Sequence, residues 1–219
     1  MTAAAGGVGS GVCTAYELGK RGGSFPSQVK ARAMKELLGL PGTAIIRPTL
    51  PAPVILPDGG LATMRWGFRR SFAAKVKGRP PVARTIVNSR EDKLAGPTWR
   101  LAFRERRCLI PAAAFYEWVE RDGRNLPLRF TRPGDDWLWI AGIWEETEQD
   151  GGCFSMITTE PNARVEPVHD RMPAVLAAEQ IGPYLAGELH QFGPSAVELE
   201  FQEAANFLKP PPAQGELLL

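Results

Sequence analysis

Apolar and polar positions along this 219-residue chain alternate in short bursts, punctuated by Gly and Pro, and rarely keep a helical period for long. Ser24-Phe25-Pro26 opens the clearest helix: Val29, Ala33, Met34 and Leu37 share a face, and Gly39 stops it after Leu38. A short strand is expected within 14–24, and a short extended piece at Ile45 to Thr49, where nearby prolines exclude a helix. Val54-Ile55-Leu56 reads as a strand that turns at Pro57 to Gly60 and pairs with Leu61 to Phe68. Residues 69–81 read as a basic loop, and Trp99 to Arg106 as a helical patch. Strands are expected at Cys108 to Pro111, Phe115 to Glu120, Leu128 to Thr131, Trp137 to Trp144 and Phe154 to Thr159. A connector over Val165 to Met172 precedes a short helix at Ala178 to Leu185. The pattern predicts an α+β fold: a strongly bent, barrel-like, mostly antiparallel sheet with a few flanking helices.

Residues 1–12 are nearly all Gly, Ala and Val, without charge or periodicity, and are expected to form a disordered leader. Residues 13–208 are expected to form one domain, and 209–219, with Pro210-Pro211-Pro212, a frayed tail. Cys13 therefore stands where a leader meets a domain. Either it is a small buried residue at a strand start, or the working protein begins there, with a free α-amine beside the thiol.

Composition narrows the class. No apolar run approaches a membrane span, and the leader lacks a basic n-region and a Leu-rich core, so a soluble cytoplasmic monomer is expected. Cys13, Cys108 and Cys153 are widely spaced and odd in number, which argues against a disulfide framework. With two histidines and no Cys-x-x-Cys, neither a metal site nor a cofactor is expected. The net charge of +2 conceals segregation: Arg65 to Arg107 holds 13 basic residues against three acids, and Cys108 onward seven against 18. The basic stretch is interleaved with Trp66, Phe68, Phe72, Trp99 and Phe103, a composition suited to phosphates and unstacked bases.

The set Arg47-Pro48-Thr49, Trp66-Gly67, Asn88-x-Arg90, Arg106 to Pro111, Phe115 to Trp118, Thr158-Thr159-Glu160-x-Asn162 and His169 to Pro173 resembles the SOS response-associated peptidase (SRAP) family in order and spacing. The resemblance runs from about Cys13 to Leu185, with Val12-Cys13-Thr14-Ala15-Tyr16 matching a Met-Cys-x-x-Tyr/Phe start. It implies covalent capture of abasic sites in single-stranded DNA by an N-terminal cysteine, in a protein associated with the nucleoid when on DNA. Val12 could then mark the true start, or the leader could be removed by self-cleavage before Cys13. Two rivals stand beside this reading: a Cys–His–Glu thiol peptidase or amidohydrolase acting in trans, and a non-covalent single-strand binder.

The residue types suit capture. An N-terminal cysteine offers an amine of pKa near 7.7–8 and a thiol on adjacent carbons; together they close a thiazolidine on an aldehyde. Glu117 shares a strand face with Phe115 and Val119, so desolvation would raise its pKa toward general acid–base work. His169 is a candidate proton carrier, and Asn88 either positions the reacting groups or caps a turn. Arg47, Arg90, Arg107 and Arg171 are candidate phosphate contacts, Pro48 and Trp66 candidate wedges or stacking groups beside the gap, and Gly67 part of the same DNA-facing motif; Trp66 could equally be core. Cys108, Cys153 and His190 read as structural. Departures from the family pattern are Ala15, where relatives often carry arginine, the acids Glu91-Asp92 near the groove, and the acidic segment after Leu185.

Overall fold

The computed structural model describes residues 13–208 apart from 20, 41, 74, 75 and 77; the expected leader and frayed tail lie outside the described residues. In chain order the elements are β1 (Ala15–Leu18), α1 (Ala31–Leu38), β2 (Ala44–Ile46), β3 (Pro51–Ile55), β4 (Leu61–Trp66), β5 (Phe68–Phe72), β6 (Val82–Ile86) and β7 (Asn88–Arg90). There follow α2 (Arg100–Glu105), β8 (Arg107–Ala112), β9 (Ala114–Arg121), β10 (Arg124–Thr131), β11 (Leu138–Thr147), β12 (Gly151–Thr159), β13 (Met172–Pro173), α3 (Ala178–Leu185) and β14 (Glu200–Glu203).

The expected class holds. Strands β11, β8, β3, β4 and β12 pair in that order, and β12 returns to β11, closing a five-stranded barrel. Most ladders are antiparallel; β12 runs parallel to β4 and β7. A second sheet, in the order β14-β10-β9-β1-β2, carries the chain's N-terminal strand between β9 and β2. Closure removes the barrel's open edges and turns alternate side chains inward. Its core includes Val54, Trp66, Leu109, Ile140, Phe154 and Met156, all fully or almost fully buried.

Several local expectations change. The first helix begins at Ala31, not Ser24: Val29 N–H closes a turn on the Pro26 carbonyl, and Lys30 N–H donates to Gly59 O at 3.0 Å. That tie to the β3–β4 turn overrides the apolar spacing. The strand from Leu61 breaks at Gly67, whose φ of +114° and closeness to Thr85 exclude a side chain; a Cβ there would sit 2.5 Å from Thr85 Cγ2. The expected 69–81 loop is largely strand at its start, because Phe68 to Phe72 pairs with Val82 to Ile86. Strand β14 lies outside the expected elements: it is exposed throughout, pairs with β10 and packs Phe201 on Phe130 at 5.3 Å, continuing the alternation of the buried Val197 and Leu199.

One cluster holds the N-terminal strand in place. Glu17, on β1, is buried, and its carboxylate accepts from Arg129 Nε and Nη2 at 2.7 Å each, Tyr116 Oη at 2.9 Å and Arg21 Nη2 at 2.8 Å. Burial pushes the Glu17 carboxyl up, but Arg129, Tyr116 and Arg21 outweigh it and hold the group below its usual range. The cluster joins β1 to β9 and β10. Breaking a buried pair strands a charge, so Glu17→Ala should cost about 3–5 kcal/mol in urea unfolding. Glu36→Ala, which removes the exposed partner of Arg32, should cost under about 0.5 kcal/mol; equal costs would mean the cluster contributes no more than a surface pair.

Candidate active site

Cys13 lies just before β1, and Glu117 lies within β9. The antiparallel register, Ala15 against Tyr116 and Tyr16 against Phe115, runs the two segments past each other. At the end of that ladder the Cys13 backbone nitrogen donates to Glu117 Oε1 at 2.8 Å, with both groups buried. Asn88 Nδ2 donates to the Cys13 carbonyl at 3.4 Å, and Cys13 Sγ lies 3.6 Å from the Ala15 carbonyl. Cys13 itself has φ of +38°, uncommon for a residue with a Cβ. Burial raises the Glu117 carboxyl to about 8; the Cys13 N–H moderates the rise and the Asp170 charge adds to it. The Cys13 thiol is also pushed well up, first by burial and then by Glu117. A buried carboxyl that still holds its proton near neutrality can both give and take one.

Strand β12 gathers the other candidates. Its second half pairs with β7 (Met156 with Asn88, Thr158 with Arg90) and with β13 (Thr158 with Pro173). Ser89 and Ser155 hydroxyls meet at 2.6 Å, and Ser155 donates to Val87 O at 3.1 Å, locking β7 and hence Asn88 beside Cys13. The His169-Asp170-Arg171 segment leads into β13, which meets β12 at Thr158, the residue that also pairs with Arg90 of β7. His169 Nδ1 faces both the Arg171 N–H at 3.0 Å and Asp170 Oδ1 at 2.9 Å. The Arg171 contact is one in which Nδ1 accepts, and it fixes the orientation of the ring.

Four residues expected to face DNA make structural contacts, although two of them, Arg107 and Arg171, also line a cavity with Glu91, Arg100 and Arg104. Trp66 is fully buried, donates through Nε1 to Val87 O at 3.0 Å and stacks with Phe154, so its ring is core and meets no base. Gly67 is the buried strand break described above. Arg107 is buried, its guanidinium donating to the carbonyls of Phe103, Tyr184 and Leu189 while lying 4.2 Å from the Phe103 ring centroid. Arg171 is nearly buried and donates to Thr158 O, a fastening between β12 and β13. An isolated motif cannot distinguish such an arginine from a phosphate ligand.

The exposed candidates differ. Arg47 and Arg90 are exposed, although Arg90 pairs with Asp92 at 3.0 Å. Arg47 to Leu50 forms a turn closed by Leu50 N–H on Arg47 O, with Pro48 second and Thr49 third at φ +75°. That is the type II position glycine usually fills, so Thr49 carries strain. The turn follows directly on Ile46, whose partner across the β1–β2 ladder is Tyr16, three residues after Cys13. Glu91, one of the acids near the groove, is committed to structure: its carboxylate accepts from Thr159 Oγ1 and Phe192 N–H at 2.6 Å each.

Part of the basic stretch, Arg65, Arg69 and Arg70, is paired with the acidic segment. Arg70 makes two bonds to Glu145, at 2.5 and 2.7 Å, and Arg69 reaches Asp150 at 3.0 Å. Cys108 and Cys153 are buried and free, and His190 packs edge-on against Phe103. Sequence reasoning missed Glu17 and the strained Thr49; the alternation around Glu17 was visible, but its cation partners come from 21 and 129.

The raised Glu117 pKa has a stability consequence. The folded state keeps the proton up to about pH 8, whereas the unfolded chain loses it near 4.5, so stability should fall as pH rises between those values. The fall should be on the order of a few kcal/mol in urea titrations, and Glu117→Gln should remove most of it. An unchanged pH profile in that variant would contradict the assignment.

The family model for SOS response associated peptidase (SRAP) matches residues 12–207. The chain is 31% identical over 143 residues to abasic site processing protein YoqW of Bacillus subtilis, covering 61% of this chain and 62% of that one. It is 26% identical over 144 residues to abasic site processing protein HMCES of Xenopus tropicalis, covering 55% of this chain and 43% of that one. It therefore spans less than two thirds of each relative. A crystal structure of a Bacteroides thetaiotaomicron protein superposes with a TM-score of 0.69 at 18% identity, covering 91% of this chain and 96% of that one. One from Bordetella bronchiseptica does so at 0.64 and 21%, covering 89% and 100%. These two likenesses establish the fold, and with the match across nearly all the described residues, the chain belongs to the SOS response associated peptidase (SRAP) family.

Proposed function

We propose that this protein captures abasic sites in single-stranded DNA through a covalent bond to Cys13, in a working form that begins at that residue. The observation that carries the reading is the 2.8 Å contact between the Cys13 nitrogen and Glu117 in a buried setting. The relatives named as abasic site processing proteins support it. With Val12 attached, that nitrogen is an amide and cannot attack. Freed, it becomes an amine facing a carboxyl, and burial favours the neutral pair over two buried charges, which leaves the amine its lone pair.

The steps balance without oxidant or reductant. Ring opening moves a proton from the C1′ hydroxyl to O4′ and exposes the aldehyde. The amine adds to C1′, Glu117 protonates the resulting hydroxyl, and one water leaves to give the Schiff base. The thiol then adds across the C=N bond: sulfur bonds C1′, and its proton passes to nitrogen by way of Glu117. Ring closure is intramolecular, so orientation more than acidity sets its rate. Asn88 holds the Cys13 carbonyl and so the angle of attack, while His169 serves as a second proton carrier. Arg47, Pro48 and Arg90 form the exposed contact with the strand. Three free thiols suit a reducing cytoplasm.

Single-stranded DNA carrying an abasic site should yield a stable adduct, and intact DNA none. Cys13→Ala should retain only a reversible imine, lost on denaturation unless borohydride is added. Glu117→Gln should slow adduct formation by roughly 10²–10⁴-fold. Stable adducts at the parent rate in both variants would end this reading.

A further inference from the structure

Three donors converge on one carbonyl next to Asn88. Val87 O accepts from the Met156 N–H at 2.9 Å, from Trp66 Nε1 at 3.0 Å and from Ser155 Oγ at 3.1 Å. A carbonyl oxygen has two lone pairs, so the third donor is not needed to pair it. The Ser155 hydroxyl has one proton and spends it there, which makes Ser89 the donor in the 2.6 Å contact between the two hydroxyls. A directed chain results, from Ser89 through Ser155 to Val87 O, with both serines fully buried. Such chains polarise and strengthen their members. Stability alone does not call for the pair, because replacing both partners of a buried hydrogen bond by apolar groups is nearly neutral.

Position does call for it. Asn88 stands between Val87 and Ser89, and the one hydroxyl of Ser155 bonds both neighbours. In the parallel β7–β12 register Met156 lies beside Asn88 and Ile157 beside Ser89. Successive strand residues point to opposite faces, so Ser89 and Ser155 share one face and Asn88 takes the other. There Asn88 Nδ2 donates to the Cys13 carbonyl at 3.4 Å, a length already beyond the usual range, so a small displacement would lose it. Val87 is also the junction between β7 and β6, and β6 pairs only with β5 among the described residues. Motion of that ribbon would reach Asn88 unless the junction were held. We propose that Ser89 and Ser155 are positioning residues for capture, a pincer on both sides of Asn88 that keeps its amide on the Cys13 carbonyl while the ring closes. The proposal rests on the capture reading for its effect on rate, but the placement of Asn88 can be read without the covalent step.

The test uses the full chain carrying Ser89→Ala and Ser155→Ala together, which strands neither hydroxyl. Adduct formation on a saturating abasic strand should slow by roughly 10-fold, short of the ~10²-fold that misplacement by about 1 Å costs. The urea midpoint should stay near the parent's, as should Kd for a strand carrying an unreactive tetrahydrofuran abasic analogue. In an Asn88→Ala background the same two changes should slow the reaction no further, because effects that act through one group do not add. The Asn88 side-chain amide resonances should shift in the double variant. An unchanged rate would overturn the proposal, as would slowing that persists in full without Asn88. A large fall in the urea midpoint, or failure to fold, would make the pair a structural fastening and overturn it too. If the parent forms no adduct, capture at Cys13 fails and the amide resonances decide: shifted in the double variant they support the pincer, unmoved they overturn it.

Discussion

The contact between the Cys13 nitrogen and Glu117 depends on strand register. A slip of one residue between β1 and β9 would turn Glu117 from the buried face to the other and part the two groups. Two sets of interactions hold that register. On one side of the sheet Glu17 is fixed by Arg129, Tyr116 and Arg21; on the other, Phe115 stacks on Phe130 at 4.9 Å with the rings nearly parallel. A terminal strand of four residues would otherwise fray. The buried ion cluster is best understood as fixing position, since burying its charges offsets much of the attraction.

Strand β12 makes the rest of the site possible. It closes the barrel against β11, then releases that partner so that β13 can take the same side while β7 follows β4 on the other. Asn88 and the His169–Arg171 segment, 81 positions apart along the chain at their nearest motif residues, thereby flank one strand end. Cys13, just before β1, and Thr49, in the turn just after β2, both have positive φ. Such conformations persist only where surrounding structure enforces them.

The strand pattern was legible because short apolar runs punctuated by Gly and Pro leave few other solutions. The helix Ala178–Leu185 and the burial of Glu117 between Phe115 and Val119 could be read directly from periodicity. Other features required long-range partners. Lys30 is held by Gly59, Arg107 spends its donors on three carbonyls, and Arg70 is claimed by Glu145. A basic run in the sequence therefore overstated the free positive surface, and family motifs mixed fasteners such as Trp66 and Arg171 with exposed residues such as Arg47. Glu17 escaped notice because nothing local distinguishes a buried, paired glutamate from a solvated one.

The most direct test is peptide mapping by tandem mass spectrometry of protein reacted with an abasic-site strand without reductant. The account predicts a modified peptide beginning at Cys13, heavier by the sugar-linked fragment minus one water, with both the α-nitrogen and sulfur of that residue blocked. An adduct on a lysine, or on Cys108 or Cys153, with the Cys13 amine and thiol still free, would contradict it.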